Sequence, residues 1–129
     1  MMLRMMMTAV ALSAVAAPAM AADPAAGEKA YTVCKACHRV GEGAKSSVGP
    51  TLNGVVGRQA ATLEGFNYSP ALQGSGITWD EASLTEFLKN PKQKVPGNKM
   101  AFAGVKDDAR IADLIAYLAQ FNADGTKKQ

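Results

Sequence analysis

Five consecutive residues, Cys34-Lys35-Ala36-Cys37-His38, hold both cysteines and the single histidine of the 129-residue chain. Whatever the fold, all its thiol and imidazole chemistry is confined to one turn. Two cysteines three apart admit four uses: thiol–disulfide exchange, a structural disulfide, half of a zinc site, or covalent attachment of a cofactor. An exchange motif of the thioredoxin kind belongs to a βαβ pattern, and no segment here shows convincing strand alternation. Zinc wants four ligands, and beyond Cys34, Cys37 and His38 the chain has no further Cys or His. A disulfide across one helical turn closes a very short loop and constrains little chain.

The first twenty residues restrict the compartment. Arg4 is followed by an apolar run over residues 5–17 and then Pro18-Ala19-Met20-Ala21, the layout of a secretory leader with a small-x-small cleavage site. The run is 13 residues long, and a membrane-spanning helix needs about 20. The expected division is a cleavable signal over 1–21, cut after Ala21 or Ala22, and one domain over 22–129. An exported chain meets an oxidising compartment, where two neighbouring thiols do not stay free by default. Cleavage removes six of seven methionines and leaves only Met100. It also removes Arg4, leaving 13 basic against 11 acidic residues, a net charge of +2.

The remaining chain reads as all-α. Asp23-Pro24 predicts a first helix, a capping carboxylate followed by proline where its missing N–H costs nothing, running through Gly27, Ala30, Tyr31 and Val33 into Cys34. Thr78-Trp79-Asp80-Glu81 fits a capping box opening a second helix, with Leu84, Phe87 and Leu88 at helical spacing and Asn90-Pro91 as its stop. Asp107-Asp108 open a third, carrying Ile111, Leu114, Ile115 and Leu118 at i, i+3, i+4, i+7. Between them lie long turn-rich stretches such as GEGAKSSVGPTLNGVVGRQA and KVPGNKMAFAG. A domain of about 107 residues with so much irregular chain builds only a modest core of its own. Three helices and their loops are therefore expected to wrap around a cofactor.

Cys-x-x-Cys-His is a known pattern for attaching c-type haem, and the geometry is consistent with it. Residues i and i+3 share one helix face, so both sulfurs can reach vinyl groups on one porphyrin edge while His38 turns its imidazole to the iron. Met100, alone in the helix-poor loop VPGNKMAFAG behind Pro96-Gly97, is the natural sixth ligand. His/Met ligation is the arrangement of cytochromes c and raises the reduction potential. It leaves no open position for a substrate or for oxygen.

With these residues, and with GPTLNGVVGR, GFNYSPAL, GITW, FLKNP and ADLIAYL in order, the chain resembles a small class I cytochrome c, close to the mitochondrial type and its bacterial periplasmic relatives. The resemblance spans Gly27 to Leu118. It implies the cytochrome c fold, with one covalent haem c per chain held by thioethers at Cys34 and Cys37. It implies that Gly27 and Tyr31 pack against Leu114 and Tyr117 where the terminal helices cross. It further implies that the Pro50 carbonyl fixes the His38 ring, that Arg58, Tyr68 and Trp79 serve the haem propionates, and that Leu52, Leu88, Phe102 and Leu118 line the crevice. Phe87 and Leu72 depart from the mitochondrial pattern, where many relatives carry tyrosine and asparagine; both changes imply a drier methionine side.

The implied function is a soluble, monomeric, periplasmic one-electron carrier, not an enzyme. It would shuttle electrons from a quinol–cytochrome c reductase to a terminal oxidase or photosynthetic reaction centre. A dedicated acceptor of one periplasmic dehydrogenase is the alternative, and a haem peroxidase or gas-binding protein would require an open sixth site. Lys89, Lys92, Lys94 and Lys99 fall within eleven residues free of acid, and Lys35 and Lys45 flank the attachment motif. Lys35, Lys45, Lys92, Lys94 and Lys99 are expected to ring the haem edge and steer docking onto acidic sites of membrane redox complexes. Nucleic acid is excluded as a partner, since the basic cluster has no interleaved aromatics, and no small-molecule substrate is expected.

Overall fold

A computed structural model describes residues 9–13 and 21–129. Most of the expected leader, residues 1–8 and 14–20, lies outside the described residues. Helix α1 spans Pro24–Ala30 and continues as a 3-10 turn over Tyr31–Cys34. Four further helices follow: α2 (Pro70–Gln73), α3 (Glu81–Lys89), α4 (Pro91–Lys94) and α5 (Asp108–Ala119). Among the described residues β-pairing is limited to two isolated bridges, Gln59 with Thr78 and Phe121 with Lys127. The chain is all-α, and its three longest elements are the three helices expected.

Each helix starts on its own sequence. Asp23 caps α1 by accepting from the Ala25 N–H at 2.9 Å, with Pro24 at the first helical position. Asp107 caps α5, accepting from the amides of Ala109 and Arg110. The box at α3 sits two residues later than its sequence suggests. Asp80, not Thr78, is the cap, and Ser83, not Glu81, closes the box: Ser83 N–H donates to Asp80 at 2.8 Å, and Asp80 N–H donates to Ser83 Oγ at 3.0 Å. Thr78 is unavailable because its extended backbone bridges Gln59, and its carbonyl accepts from Ser83 Oγ at 2.7 Å.

The first helix also departs from expectation. It narrows to 3-10 geometry before reaching the cysteines, so Cys34 ends the turn and Cys37 lies beyond it. Such tightening is frequent at helix ends. The Cys34 carbonyl accepts from both Cys37 N–H (3.1 Å) and His38 N–H (2.9 Å), which still holds all three residues on one turn.

The frame is the crossing of α1 on α5. A Cβ placed on Gly27 would lie 1.9 Å from the Asp113 carbonyl oxygen and 2.8 Å from Tyr117 Cβ, so the backbones touch where a side chain would hold them apart. The rings of Tyr31 and Tyr117 meet at a tilt beside this contact, their centroids 5.3 Å apart. Ile111 and Leu114 are completely buried, and Ile115, Leu118 and Phe121 extend the same face. Each large apolar side chain fully buried stabilises the fold by about 1.5–3 kcal/mol. Leu84, Phe87 and Leu88 of α3 face the same interior. The inward faces of α3 and α5, with the loops between α1 and α3, leave a cavity between them.

Candidate functional site

The cavity has a volume of about 340 Å³ and a mainly apolar wall. Such dimensions and lining suit a cofactor pocket. Leu84, Phe87 and Leu88 form one side and Leu114 and Leu118 another, with Leu52, Leu72 and Phe102 completing the apolar lining. The structure brings Cys34, Cys37, His38, Pro50, Arg58, Tyr68, Trp79 and Met100 to this one space, although they span 67 positions of sequence.

His38 is held by its neighbours in a defined state. Its Nδ1 lies 2.7 Å from the Pro50 carbonyl oxygen, which can only accept, so Nδ1 carries the proton and Nε2 keeps its lone pair. Burial lowers the His38 pKa and so favours the neutral ring, an effect partly countered by the Pro50 bond. A neutral imidazole with one free lone pair is a metal donor. Gly49 lies flat against the ring: a Cβ there would come within 2.5 Å of Cε1. Its N–H donates to the Cys37 carbonyl at 2.8 Å, tying this loop to the cysteine turn. The two thiols are not joined to each other. Burial, and then proximity to Cys37, pushes the Cys34 pKa up. Among the described residues no three His, Cys, Asp or Glu side chains cluster as a metal-ion site.

Met100 reaches the cavity from the loop after α4. Its position depends on Asn98, which the sequence reading passed over. Asn98 Nδ2 donates to the carbonyls of Pro91 (2.9 Å) and Val95 (2.8 Å), while its Oδ1 accepts from the Met100 N–H at 2.9 Å. One amide side chain thus spans the loop and fixes the backbone of the methionine. Asn53 has a parallel role on the histidine side. It exchanges two hydrogen bonds with the Gly41 backbone, at 2.8 and 2.9 Å, and is buried. A PGN turn just ahead of the methionine was the available signal for Asn98, since asparagine favours turns by bonding to nearby backbone. Nothing local marked Asn53, whose partner is twelve residues away.

Polar groups sit on the remaining wall. Arg58 donates through Nη1 to the Asn53 carbonyl (3.0 Å) and through Nη2 to the Thr51 carbonyl (3.4 Å). Burial lowers its pKa, and among the described residues no carboxylate pairs with it. The Tyr68 hydroxyl is buried without a protein partner. Trp79 is buried, its ring 4.9 Å from Phe87, and its backbone brackets Arg58 and Gly57. A half-buried cation without a counter-ion and a buried hydroxyl without an acceptor call for an anionic ligand group at this wall. With two thiols, a neutral imidazole and a thioether on the same cavity, the donor set fits haem.

The lysines divide. Lys89 pairs with Asp108 at 3.0 Å, and Lys94 with Glu86. Glu86 stands just ahead of the lysine run in α3 and Asp108 beyond its end, at the start of α5, so both acids lie outside the run and folding turns them onto it. Lys94, expected to dock a partner, is therefore largely neutralised and half-buried. Lys35, Lys45, Lys92 and Lys99 remain exposed, without an acidic partner among the described residues. Lys99 lies at the cavity itself, as do the exposed Val33 and Val48. No helix among the described residues is long and apolar enough to cross a membrane.

Comparison with known proteins places this geometry among relatives. The family model for cytochrome c matches residues 24–122. A cytochrome c2 of Blastochloris viridis is 56% identical over 106 residues, covering 82% of this chain and 84% of the relative. A cytochrome c-554 of Methylosinus trichosporium is 58% identical over 106 residues, covering 82% and 80% respectively. The solved cytochrome cH from Methylobacterium extorquens superposes with a TM-score of 0.71 at 51% identity, over 75% of this chain and 97% of that one.

Proposed function

Because the chain belongs to the cytochrome c family, we propose that it carries single electrons between redox complexes of an exported compartment, on an iron ligated by His38 and Met100. It is an electron carrier rather than an enzyme, and its cofactor is covalently attached haem c. The observation that carries the ligation is the cavity itself: the free Nε2 of a neutral, backbone-tethered His38 and the side chain of Met100 line one apolar space with both cysteines.

Bound haem supplies one iron that alternates between ferrous and ferric states. The chain's residues make that alternation easy to repeat. Cys34 and Cys37 Sγ are the thioether attachments, so the group cannot leave on either half of the cycle. His38 Nε2 and Met100 Sδ would be the two protein donors to the iron, and the Pro50 and Asn98 bonds hold their loops in place. Arg58 and the Tyr68 hydroxyl receive the propionates, with Trp79 backing Arg58; this gives the cation a counter-ion and the buried hydroxyl a partner. Leucines and phenylalanines keep water from the iron, which limits the solvent rearrangement that accompanies each electron.

Docking is assigned to Lys35, Lys45, Lys92 and Lys99, with Lys94 reduced by its pairing to Glu86. The leader over 1–21 directs export to the periplasm, and the donor and acceptor are membrane redox complexes with acidic docking faces. Optical spectra of the exported protein test the core of this reading. A methionine–iron charge-transfer band in the oxidised form, lost in Met100→Ala, is the expected result. Tight carbon monoxide binding by the unmodified ferrous protein would overturn it, because the sixth position would then be open.

A further inference from the structure

We propose that the C-terminal turn, residues 122–128, is a positioning element for His38, acting through Gly41 and Asn53 on the Pro50 carbonyl that orients the imidazole. The inference rests on the proposed ligation by His38.

The chain does not end with α5. Beyond Phe121 it doubles back: Phe121 bridges Lys127, Asn122 N–H donates to the Thr126 carbonyl at 2.8 Å, and Lys128 N–H donates to the Gln120 carbonyl at 2.7 Å. Thr126 Oγ1 ties the turn internally, to Asp124 at 2.6 Å and Asn122 at 3.1 Å. The Lys127 ammonium covers the Phe121 ring at 5.8 Å. This short tail is closed by its own bonds.

It is also wedged against the histidine loops. Gly125 is buried at φ +86, and a Cβ there would lie 2.1 Å from the Gly41 carbonyl oxygen and 2.7 Å from the Glu42 nitrogen. On its other flank, Gly54 N–H donates to the Phe121 carbonyl at 3.2 Å, and the Gly54 Cα faces Ala123 so closely that a Cβ would meet its backbone at 2.9 Å. The tail therefore braces two loops, one just after His38 and one just after Pro50. Asn53 joins the same two loops through its paired bonds to Gly41, and Leu52 N–H donates to the Arg39 carbonyl at 3.0 Å. Tail, Gly41, the Asn53 side chain and the Arg39–Leu52 rung form one continuous chain of contacts. It ends at Arg39 and Leu52, one residue after His38 and two after Pro50, beside the His38–Pro50 bond.

A carbonyl that accepts from a metal-bound imidazole raises the basicity of that ligand. Loosening the path should weaken this bond, stabilise the ferric state less, and shift the one-electron equilibrium toward reduction. The test uses the full-length holoprotein with Gly125→Ala, which forces the tail off Gly41, and Thr126→Val, which loosens the tail without adding a clash there. Gly76→Ala is the control, since it also places a side chain at positive φ (+67) but in open space. Two readouts are taken: the midpoint potential, and the ring Nδ1–H resonance of the sole histidine.

Expected is a threefold to tenfold shift of the reduction equilibrium for Gly125→Ala, a tenfold shift being 59 mV for one electron. A smaller shift of the same sign is expected for Thr126→Val, with a displaced Nδ1–H signal in both and neither change in Gly76→Ala. Loss of stability in both tail variants with potential and resonance unmoved would make the tail a mere stabiliser and overturn the inference. Should Gly125→Ala not fold, Thr126→Val decides. Absence of a His/Met spectrum in the unmodified protein would instead overturn the ligation, a separate and recognisable failure.

Discussion

Gly27→Ala sets two known effects against each other, and their sizes predict the sign. Alanine in a helix is favoured over glycine by about 1 kcal/mol, so local propensity alone predicts a more stable protein. The new Cβ, however, would stand 1.9 Å from the Asp113 carbonyl oxygen and 2.6 Å from its carbon. Restoring a contact of about 3.3 Å requires α1 and α5 to part by about 1.4 Å, and a gap of 0.5–1 Å already forfeits a quarter to a half of each dispersion contact. The pairs so weakened include Tyr31 with Tyr117, both buried. The loss is on the order of 3–5 kcal/mol, at or above the usual cost of overpacking. Propensity returns about one of these, so the net is a destabilisation of about 2–4 kcal/mol. For a domain of this size that lowers Tm by roughly 10–25 °C. Thermal unfolding of the holoprotein followed by far-ultraviolet circular dichroism measures it. A Tm equal to or above that of the parent protein would show that the helices do not meet through Gly27.

Asp107→Ala removes the acceptor for two amides at the start of α5 and should cost about 1 kcal/mol, read from the urea midpoint. Tyr31 carries a buried hydroxyl without a protein partner, so Tyr31→Phe should raise stability at pH 7 by about 1 kcal/mol. Burial pushes the Tyr31 pKa up from 10.0 to about 12. Between those values the unfolded chain has lost a proton that the folded chain keeps, so stability present below pH 10 is lost as pH rises through about 12. Unfolding titrations of Tyr31→Phe should show a flatter slope in that window. Arg58→Gln removes a positive charge from the cavity wall and should lower the midpoint potential, by about 1 kcal/mol or ~45 mV; an unchanged value would remove Arg58 from the propionate wall. Phe87→Tyr places a hydroxyl in the apolar lining and should change the potential or the ease with which Met100 is displaced at alkaline pH, both followed optically.

Signals carried by neighbours in sequence were legible because their physics is local. The caps Asp23 and Asp107 bond amides two or three residues away, and the apolar face of α5 needs only the helical period. The cysteine turn could be read for the same reason. The box at α3 was misplaced by two residues because Thr78 fits the pattern equally well, and only its bridge to Gln59 removes it from use. The charge run misled more. Residues 89–99 hold four lysines and no acid, yet Glu86 and Asp108 fold onto two of them.

By itself, then, the order of residues determined the all-α class, the helix starts and the attachment motif with its histidine. It also set apart Met100, the one methionine outside the expected leader. Tertiary structure decided which lysines pair with Glu86 and Asp108, how Asn53 ties down the loop after His38, and that the C-terminal turn reaches Gly41. The physical reason is distance along the chain. Periodicity and capping act within a few residues, whereas these pairings join residues from 8 to 19 apart and, for the C-terminal turn, opposite ends of the domain, and so depend on where the fold places them.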